Sequence, residues 1–573
     1  MKSKQKNKAR IVLAVCISFW VSLLILFIFC LPSPLFNDPY STVVLDENGI
    51  ILGVKISDDG QWRFPETTEV SEKFEKCILT FEDKRYFKHF GVDPLAMFRA
   101  VKLNLNRGKV VSGGSTITMQ VIRMSRKGNS RTYFEKFIEI FLATRLEATY
   151  SKKEILNLYA SHAPFGGNIV GIEAAAWRYF GRNPDQLSWA ENAMLAVLPN
   201  APTFINTAKN RNALKIKRDK LLHSLHELGY IDDIELELSM EEPIPEHPSP
   251  YPMHSYHLTE RVASEHQGKN SKVITTINID LQKQANDIIH RFNQRYSQNE
   301  INNIACLILD VETGSVKVYI GNGDITSDIP EKAVDMVKAQ RSTGSILKPF
   351  LFSAMLTSGE MLPKTLLKDI PTKMGSFSPE NFDRDFDGAV PADEALARSL
   401  NIPFVYMLQD YSIIKFLFIL KSLKFDSIDK SSEHYGLSLI LGGAESSLLD
   451  ICSAYASMAR SLKHYTITNS KYNTTDYHKA VYTYDQLNNI PDGQIKETSF
   501  LSASSIWLSF EAMTSVNRPG QEKMWRKFNS KQKVAWKTGT SLVLRMRGLL
   551  LSLLNMLLAF GLEMLLVKVV LAL

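Results

Sequence analysis

The sequence predicts a multidomain chain with a single transmembrane helix near its start, then a mainly-α domain, then an α/β domain built on an antiparallel sheet with helices. Three observations carry this. The length of 573 residues exceeds what one hydrophobic core organises. Ile11 to Leu31 runs 21 residues without a charge, enough to cross a hydrocarbon core once. Apolar residues then recur at three- and four-residue steps in the first half and alternate at two-residue steps in segments after Val273.

Residues 1–10 carry Lys2, Lys4, Lys6, Lys8 and Arg10. Such a basic arm stays cytoplasmic, which places everything after Leu31 outside. The rival, a cleaved signal, is disfavoured because 11–31 is longer than a signal core and Cys30 to Pro34 offers no small-x-small site. The expected location is therefore the cell inner membrane, single-pass, with the folded domains extracytoplasmic. A net charge of +7 suits an anionic lipid or membrane surface and is too weak to argue for nucleic acid. Cys16, Cys30, Cys77, Cys306 and Cys452 are scattered, with no Cys-x-x-Cys, so neither a disulfide framework nor a zinc site is implied.

Ser41 to Trp62 alternates about Asp46-Glu47-Asn48-Gly49, which predicts a small hairpin. A helical domain is expected over 41–205. Within it Phe134, Phe137, Ile138, Phe141, Leu142, Arg145 and Leu146 follow helical steps and are expected on a buried face. Residues 206–272 are expected as a linker, with a basic helical piece, Lys209 to Gly229, followed by the Glu/Pro-rich run 241–248, which has a linker composition. The α/β domain is expected over 273–541, starting with strands about the turn Glu312-Thr313-Gly314 and with helices after Ser345, Pro391 and Ala444.

Two constellations carry chemistry. In the first, Glu82-Asp83 begins a run ending in His89-Phe90-Gly91. Gly113-Gly114-Ser115-Thr116 then leads through Gln120, where a loop enters a helix suited to grip phosphate or sugar. Lys136 and Glu139 stand one helical turn apart, an acid and a base on one face. In the second, Ser345 and Lys348 lie at i and i+3 at a helix start, where a neutral lysine can take the serine proton and backbone amides can hold an oxyanion. Ser399-Leu400-Asn401 follows, and Lys537-Thr538-Gly539-Thr540 comes near the end.

In order and spacing the first set resembles the peptidoglycan glycosyltransferases of class A penicillin-binding proteins, which have a lysozyme-like helical fold. Ala163-Pro164-Phe165-Gly166-Gly167-Asn168 and Leu198-Pro199-Asn200-Ala201-Pro202 extend the match. The resemblance implies polymerisation of lipid II onto a growing glycan strand. Glu82 is the implied general base. Glu139 is the implied second carboxylate, managing with Lys136 the charge on the departing pyrophosphate. Ser115, Thr116, Gln120, Arg123, Arg131 and Lys152 are expected at the substrate. His89 is expected to order the helix-loop junction. The resemblance calls for no cofactor outright, though a pyrophosphate leaving group is compatible with Mg²⁺ or Mn²⁺. Asn157 and Ser161 depart from the family pattern, which has Glu and Asn there.

The second set resembles penicillin-binding transpeptidases. That implies Ser345 as nucleophile, Lys348 as base, Ser399 and Asn401 as proton-shuttle and substrate-holding groups, and Lys537, Thr538, Gly539 and Thr540 on the strand that binds the substrate or penicillin carboxylate. The family continues with two more strands and a helix, whereas 542–573 is a leucine-rich tail. A base lost near the Ser541 codon accounts for this: shifted by one, Ser541 to Ser552 can be read as S-F-G-F-K-D-A-W-A-I-A-V, and Phe560 to Ala572 as W-V-G-N-A-T-G-E-G-R-P-G. The rival, a second membrane helix over 549–573, carries Glu563 and Lys568. The transpeptidase domain is thus expected to be incomplete and impaired in this chain. The alternative overall function is a D-Ala-D-Ala carboxypeptidase or β-lactam sensor without polymerase activity.

Overall fold

The computed structural model describes residues 13–107 apart from 16, 19, 23 and 24, then 113–127, 132–200, 210–266, 272–298, 302–323, 330–375, 377–515 and 535–540, with the backbone of 547–553 and 556–562. The chain divides into two compact units. The first comprises Met1–Val43, Val54–Tyr251 and His266–Lys272, and the second Val44–Gly53, Pro252–Glu265 and Val273–Leu573.

The first unit is helical, as the spacing predicts. Its main helices are α1 (Glu72–Glu82), α2 (Pro94–Arg107), α3 (Ile117–Ser125), α4 (Tyr133–Thr149), α5 (Lys152–His162), α6 (Ile172–Phe180), α7 (Trp189–Val197), α8 (Arg211–Glu227) and α9 (Asp233–Glu241). Hydroxyl caps set the starts: Ser71, Thr116, Thr132, Ser151 and Ser188 each accept a backbone N–H from the first turn. Glu154 and Glu191 reach back to close capping boxes. Ala190 to Val197 of α7 are all buried, so this helix forms the centre of the unit.

Two expectations change here. Residues 206–272 are not a free linker, because α8 buries Leu214, Leu221, Leu222 and Leu225 within the first unit. Arg218, almost wholly buried, donates to the carbonyls of Glu242 and Met240 and so ties down the acidic stretch. The apolar stripe of α4 is split: Leu142 and Leu146 are buried, but Phe134 and Phe137 are 71% and 67% exposed. Periodicity marks an apolar face without saying what covers it. Near the start, an apolar helix covers Leu13–Phe29 inside the expected 11–31; among the described residues no single helix is long and apolar enough to cross a membrane. Phe27 of this helix packs edge-on to Phe141, and Arg145 donates to the Ile28 carbonyl at 3.0 Å.

In the second unit the Val44–Gly53 tip of the expected hairpin, formed by β1 (Thr42–Leu45) and β2 (Ile51–Lys55), turns where the Asp46 carboxylate accepts the Asn48 and Ile50 amides. The central sheet contains β3 (Ile304–Asp310), β4 (Val316–Ile320), β5 (Ala535–Thr540), β6 (Arg547–Leu553) and β7 (Met556–Leu562) in the antiparallel order β5-β6-β7-β3-β4. Helices α10 (Ile279–Ser297), α11 (Lys348–Ser358), α12 (Ala392–Arg398), α13 (Ile402–Tyr411), α14 (Leu448–Ile467) and α15 (Ala503–Thr514) accompany it.

The order of the sheet corrects the expectation that it stops at β5. Both missing strands are present in backbone, with Gly539 opposite Gly548 and Phe560 opposite Cys306. A ladder needs only extended N–H and C=O groups, which a leucine run supplies without the family's side-chain pattern.

The far edge, β4, is closed at Tyr319 by a side chain. The Tyr319 amide donates to Gln282 Oε1 at 2.9 Å, and Gln282 Nε2 and Ser255 Oγ donate back to the Tyr319 carbonyl. One amide thus pairs the strand as a neighbouring strand would. At the end of α14, His464 sits between two carboxylates, Nδ1 at 2.6 Å from Asp476 and Nε2 at 2.7 Å from Glu312, with Lys463 also on Glu312.

Two candidate active sites

The first site is assembled by Asp83, the C-cap of α1. Asp83 Oδ2 accepts the Ile117 amide at 3.1 Å, and His89 Nε2 lies 3.1 Å from both carboxylate oxygens. The end of α1 is thereby fixed to the start of α3, and His89 does order the junction. Across that joint Gln120 Nε2 donates to Glu82 Oε2 at 2.7 Å.

One turn further along α3, Arg123 grips Glu139 of α4 with two bonds, Nε to Oε1 at 2.7 Å and Nη2 to Oε2 at 3.0 Å. Lys136 Nζ donates to Ser115 Oγ at 2.6 Å and lies 3.5 Å from Glu139, while Arg123 Nη2 reaches Ser115 at 3.4 Å. Burial pushes the Glu139 carboxyl up, but the Arg123 bonds and the charges of Arg123 and Lys136 outweigh it and hold the group below the usual carboxylate range. Two cations and one anion leave a net positive charge beside Ser115.

Thr116 caps α3 and donates to the Gly91 carbonyl. At Gly114 a side chain would lie 2.8 Å from the Met97 Cα, so only glycine lets the loop pass α2. Lys152 is placed differently from the expectation: its ammonium bonds Glu147 at 2.7 Å and lies over the Tyr86 ring at 4.3 Å. Glu147 also accepts from Thr118, so Lys152 braces α3, α4 and α5. Arg131 lies outside the described residues.

The second site is built on the turn Gly344–Leu347 that runs into α11. Ser345, half-buried, sits on this turn. Lys348 Nζ donates to the carbonyls of Ser399 and Leu400 at 2.8 and 2.9 Å and to Asn401 Oδ1 at 2.8 Å. Three acceptors match the three N–H bonds of an ammonium; a neutral amine keeps two and turns a lone pair outward. Lys537 Nζ donates to Ser399 Oγ at 2.7 Å. Ser399 holds φ 58°; its carbonyl accepts from Lys348 and its hydroxyl from Lys537. Gly539 is required by space, since a Cβ there would lie 2.7 Å from Ile346 Cγ1 and 2.9 Å from the Thr343 carbonyl. Thr538 is buried beside it; the Thr540 side chain lies outside the described residues.

Residues 52–226 match the family model for transglycosylases, and residues 304–546 match that for the penicillin-binding protein transpeptidase domain. The chain belongs to the class A penicillin-binding proteins. It is 33% identical to penicillin-binding protein 1C of Escherichia coli over 89% of this chain and 63% of that protein. It is 27% identical to penicillin-binding protein 1F of Bacillus subtilis, over 73% and 59%, and 26% identical to penicillin-binding protein 1A of Aquifex aeolicus, over 78% and 74%. The chain spans less than two thirds of the length of the first two relatives.

In this class A protein, sequence reasoning missed two organising residues. Asp83 was noticed only as half of an acidic pair. Asn381 was not singled out at all: it is buried, donates to Asp369 Oδ1 at 2.8 Å and accepts the Asn401 amide at 2.9 Å, and so holds the Ser399–Asn401 turn. The only available signal was its place in Pro379-Glu380-Asn381, ahead of an aspartate-rich turn.

Proposed function

We propose that this chain polymerises lipid II, extending a glycan strand at the first site. The observation that carries the reading is the layout of α3. Gln120 holds a carboxylate, Glu82, at one end, and one turn later Arg123 belongs to a cluster with a positive excess. Glu82 takes the proton from the acceptor's 4-hydroxyl as that oxygen bonds to the donor's anomeric carbon. The bond from that carbon to the lipid pyrophosphate breaks, and Arg123 and Lys136 receive the charge on the leaving oxygens. Glu139 keeps the two cations in place.

A divalent metal held by protein groups alone has no ready ligand set among the described residues; an ion here would rest mainly on the pyrophosphate. Both Glu139 oxygens are bonded to Arg123, and among the described residues no three His, Cys, Asp or Glu side chains converge as ligands.

We also read the chain as a single-pass inner-membrane protein with its N-terminus cytoplasmic. Phe87, Phe90, Leu95, Phe98, Leu105, Phe134 and Phe137 of the first unit are exposed, a set that suits a lipid surface and a lipid-borne substrate. The test is glycan synthesis from lipid II by the purified protein against Glu82→Gln. Equal output from the two would sink the reading, and output from neither would favour the carboxypeptidase or sensor alternative.

For the second site we propose impaired acylation by penicillin-type β-lactams. The transpeptidase match ends at residue 546, and the sequence of 547–562 is leucine-rich where the family pattern would continue. Fluorescent penicillin is expected to label Ser345 weakly, and strongly once the reading frame is restored. An uninterrupted gene across codons 535–573 with no missing base would remove the frameshift account.

A further inference from the structure

Tyr159 is unused by the chemistry above. It lies on α5, which packs on α3, the helix that holds Glu82 through Gln120. The ring is 1% exposed, and the hydroxyl is buried with no hydrogen-bond partner. Leaving a buried hydroxyl unpaired is costly, and phenylalanine would fill the same space without that cost. Burial, and then the charge of Glu82, push the phenol well above its usual range, so it remains a donor throughout the working pH range. Glu82, half-buried at the last turn of α1, is the charge that bears on the phenol.

We propose that Tyr159 is a positioning residue for the base: in the substrate-bound state its hydroxyl donates to the Glu82 carboxylate and fixes the oxygen that receives the acceptor's proton. The inference rests on the polymerase reading. In the resting arrangement Glu82 is held by Gln120; when the acceptor sugar arrives, the carboxylate turns and Tyr159 supplies the bond that steadies it. A hydroxyl kept unpaired at rest has its partner in the reacting state, where the bond accelerates the step rather than stabilising the fold.

The test is lipid II polymerisation, as kcat and KM, by the full-length protein and its Tyr159→Phe, Glu82→Gln and doubly substituted forms, with thermal unfolding of each. Tyr159→Phe is expected to lower kcat about tenfold, the effect of one hydrogen bond on a transition state. KM should change little and Tm should hold or rise. In the Glu82→Gln background the same substitution should slow the residual reaction no further, because the two act through one another. An unchanged kcat, an equal slowing in both backgrounds, or a fall in Tm would each overturn the proposal. Failure of the parent protein to polymerise lipid II would instead count against the function proposed above.

Discussion

The Arg123–Glu139–Lys136 cluster of the first unit and the Asp476–His464–Glu312 cluster of the second are both networks of ionised groups, yet their central groups answer to pH in opposite directions. Glu139 is held below its usual range after cations overcome its burial. Its contribution is therefore present above the unfolded carboxyl value and lost as pH falls through the depressed folded one. His464 is opposed by burial, but its bonds and charges with Glu312 and Asp476 prevail and raise it. Its contribution is complete below the ordinary imidazole value and lost as pH rises through the raised one. Asp476, raised mainly by burial, acts in the same sense as His464. Glu312, opposed by burial, is itself lowered by its bonds to His464 and Lys463, so acid weakens a carboxylate in both clusters, and it is the alkaline limb, carried by His464, that sets the second unit apart.

The largest break in that comparison comes from Glu82→Gln. It should cut glycan synthesis by about 10²- to 10⁴-fold and leave the unfolding of both units as it was, read by product length and by calorimetry. Next, Lys348→Met should strip three acceptors of their donor and destabilise the second unit by about 3 kcal/mol. Chemical denaturation should show this with glycan output intact; a loss below about 1 kcal/mol would mean those carbonyls find water. Gly539→Ala, pressing on Ile346 and Thr343, should cost about 1–3 kcal/mol in the same unit.

The smallest effects sharpen the pH contrast itself. Acidification should lower the transition of the first unit, and Glu139→Gln should flatten that limb. Raising pH above about 6.5 should lower the transition of the second, and His464→Gln should flatten that one. A shared alkaline limb for both transitions would show that His464 does not set the second unit apart.

Much of this was legible because it is local. Lys136 with Glu139, and Ser345 with Lys348, are turn-spaced pairs, and Thr116 stands where a loop enters α3. What escaped acts at long range or through backbone. Asp83 works on an amide 34 positions away, and Lys152 is taken up by Glu147 through a contact that depends on how α4 and α5 cross. The exposure of Phe134 and Phe137 could not be read from spacing, which is the same for a core face and a lipid face. The strands of the leucine-rich tail were missed because side-chain pattern, not backbone capacity, is what a sequence displays.

Gln282 holds one further meaning. At Tyr319 a side-chain amide takes the place of a neighbouring strand, while beside it the Asn278 amide meets the Lys317 carbonyl and the Val316 amide meets the Val481 carbonyl. A lineage that exchanged that glutamine for an apolar residue would leave the Tyr319 amide without its acceptor, a gap that water or a new polar side chain would have to fill.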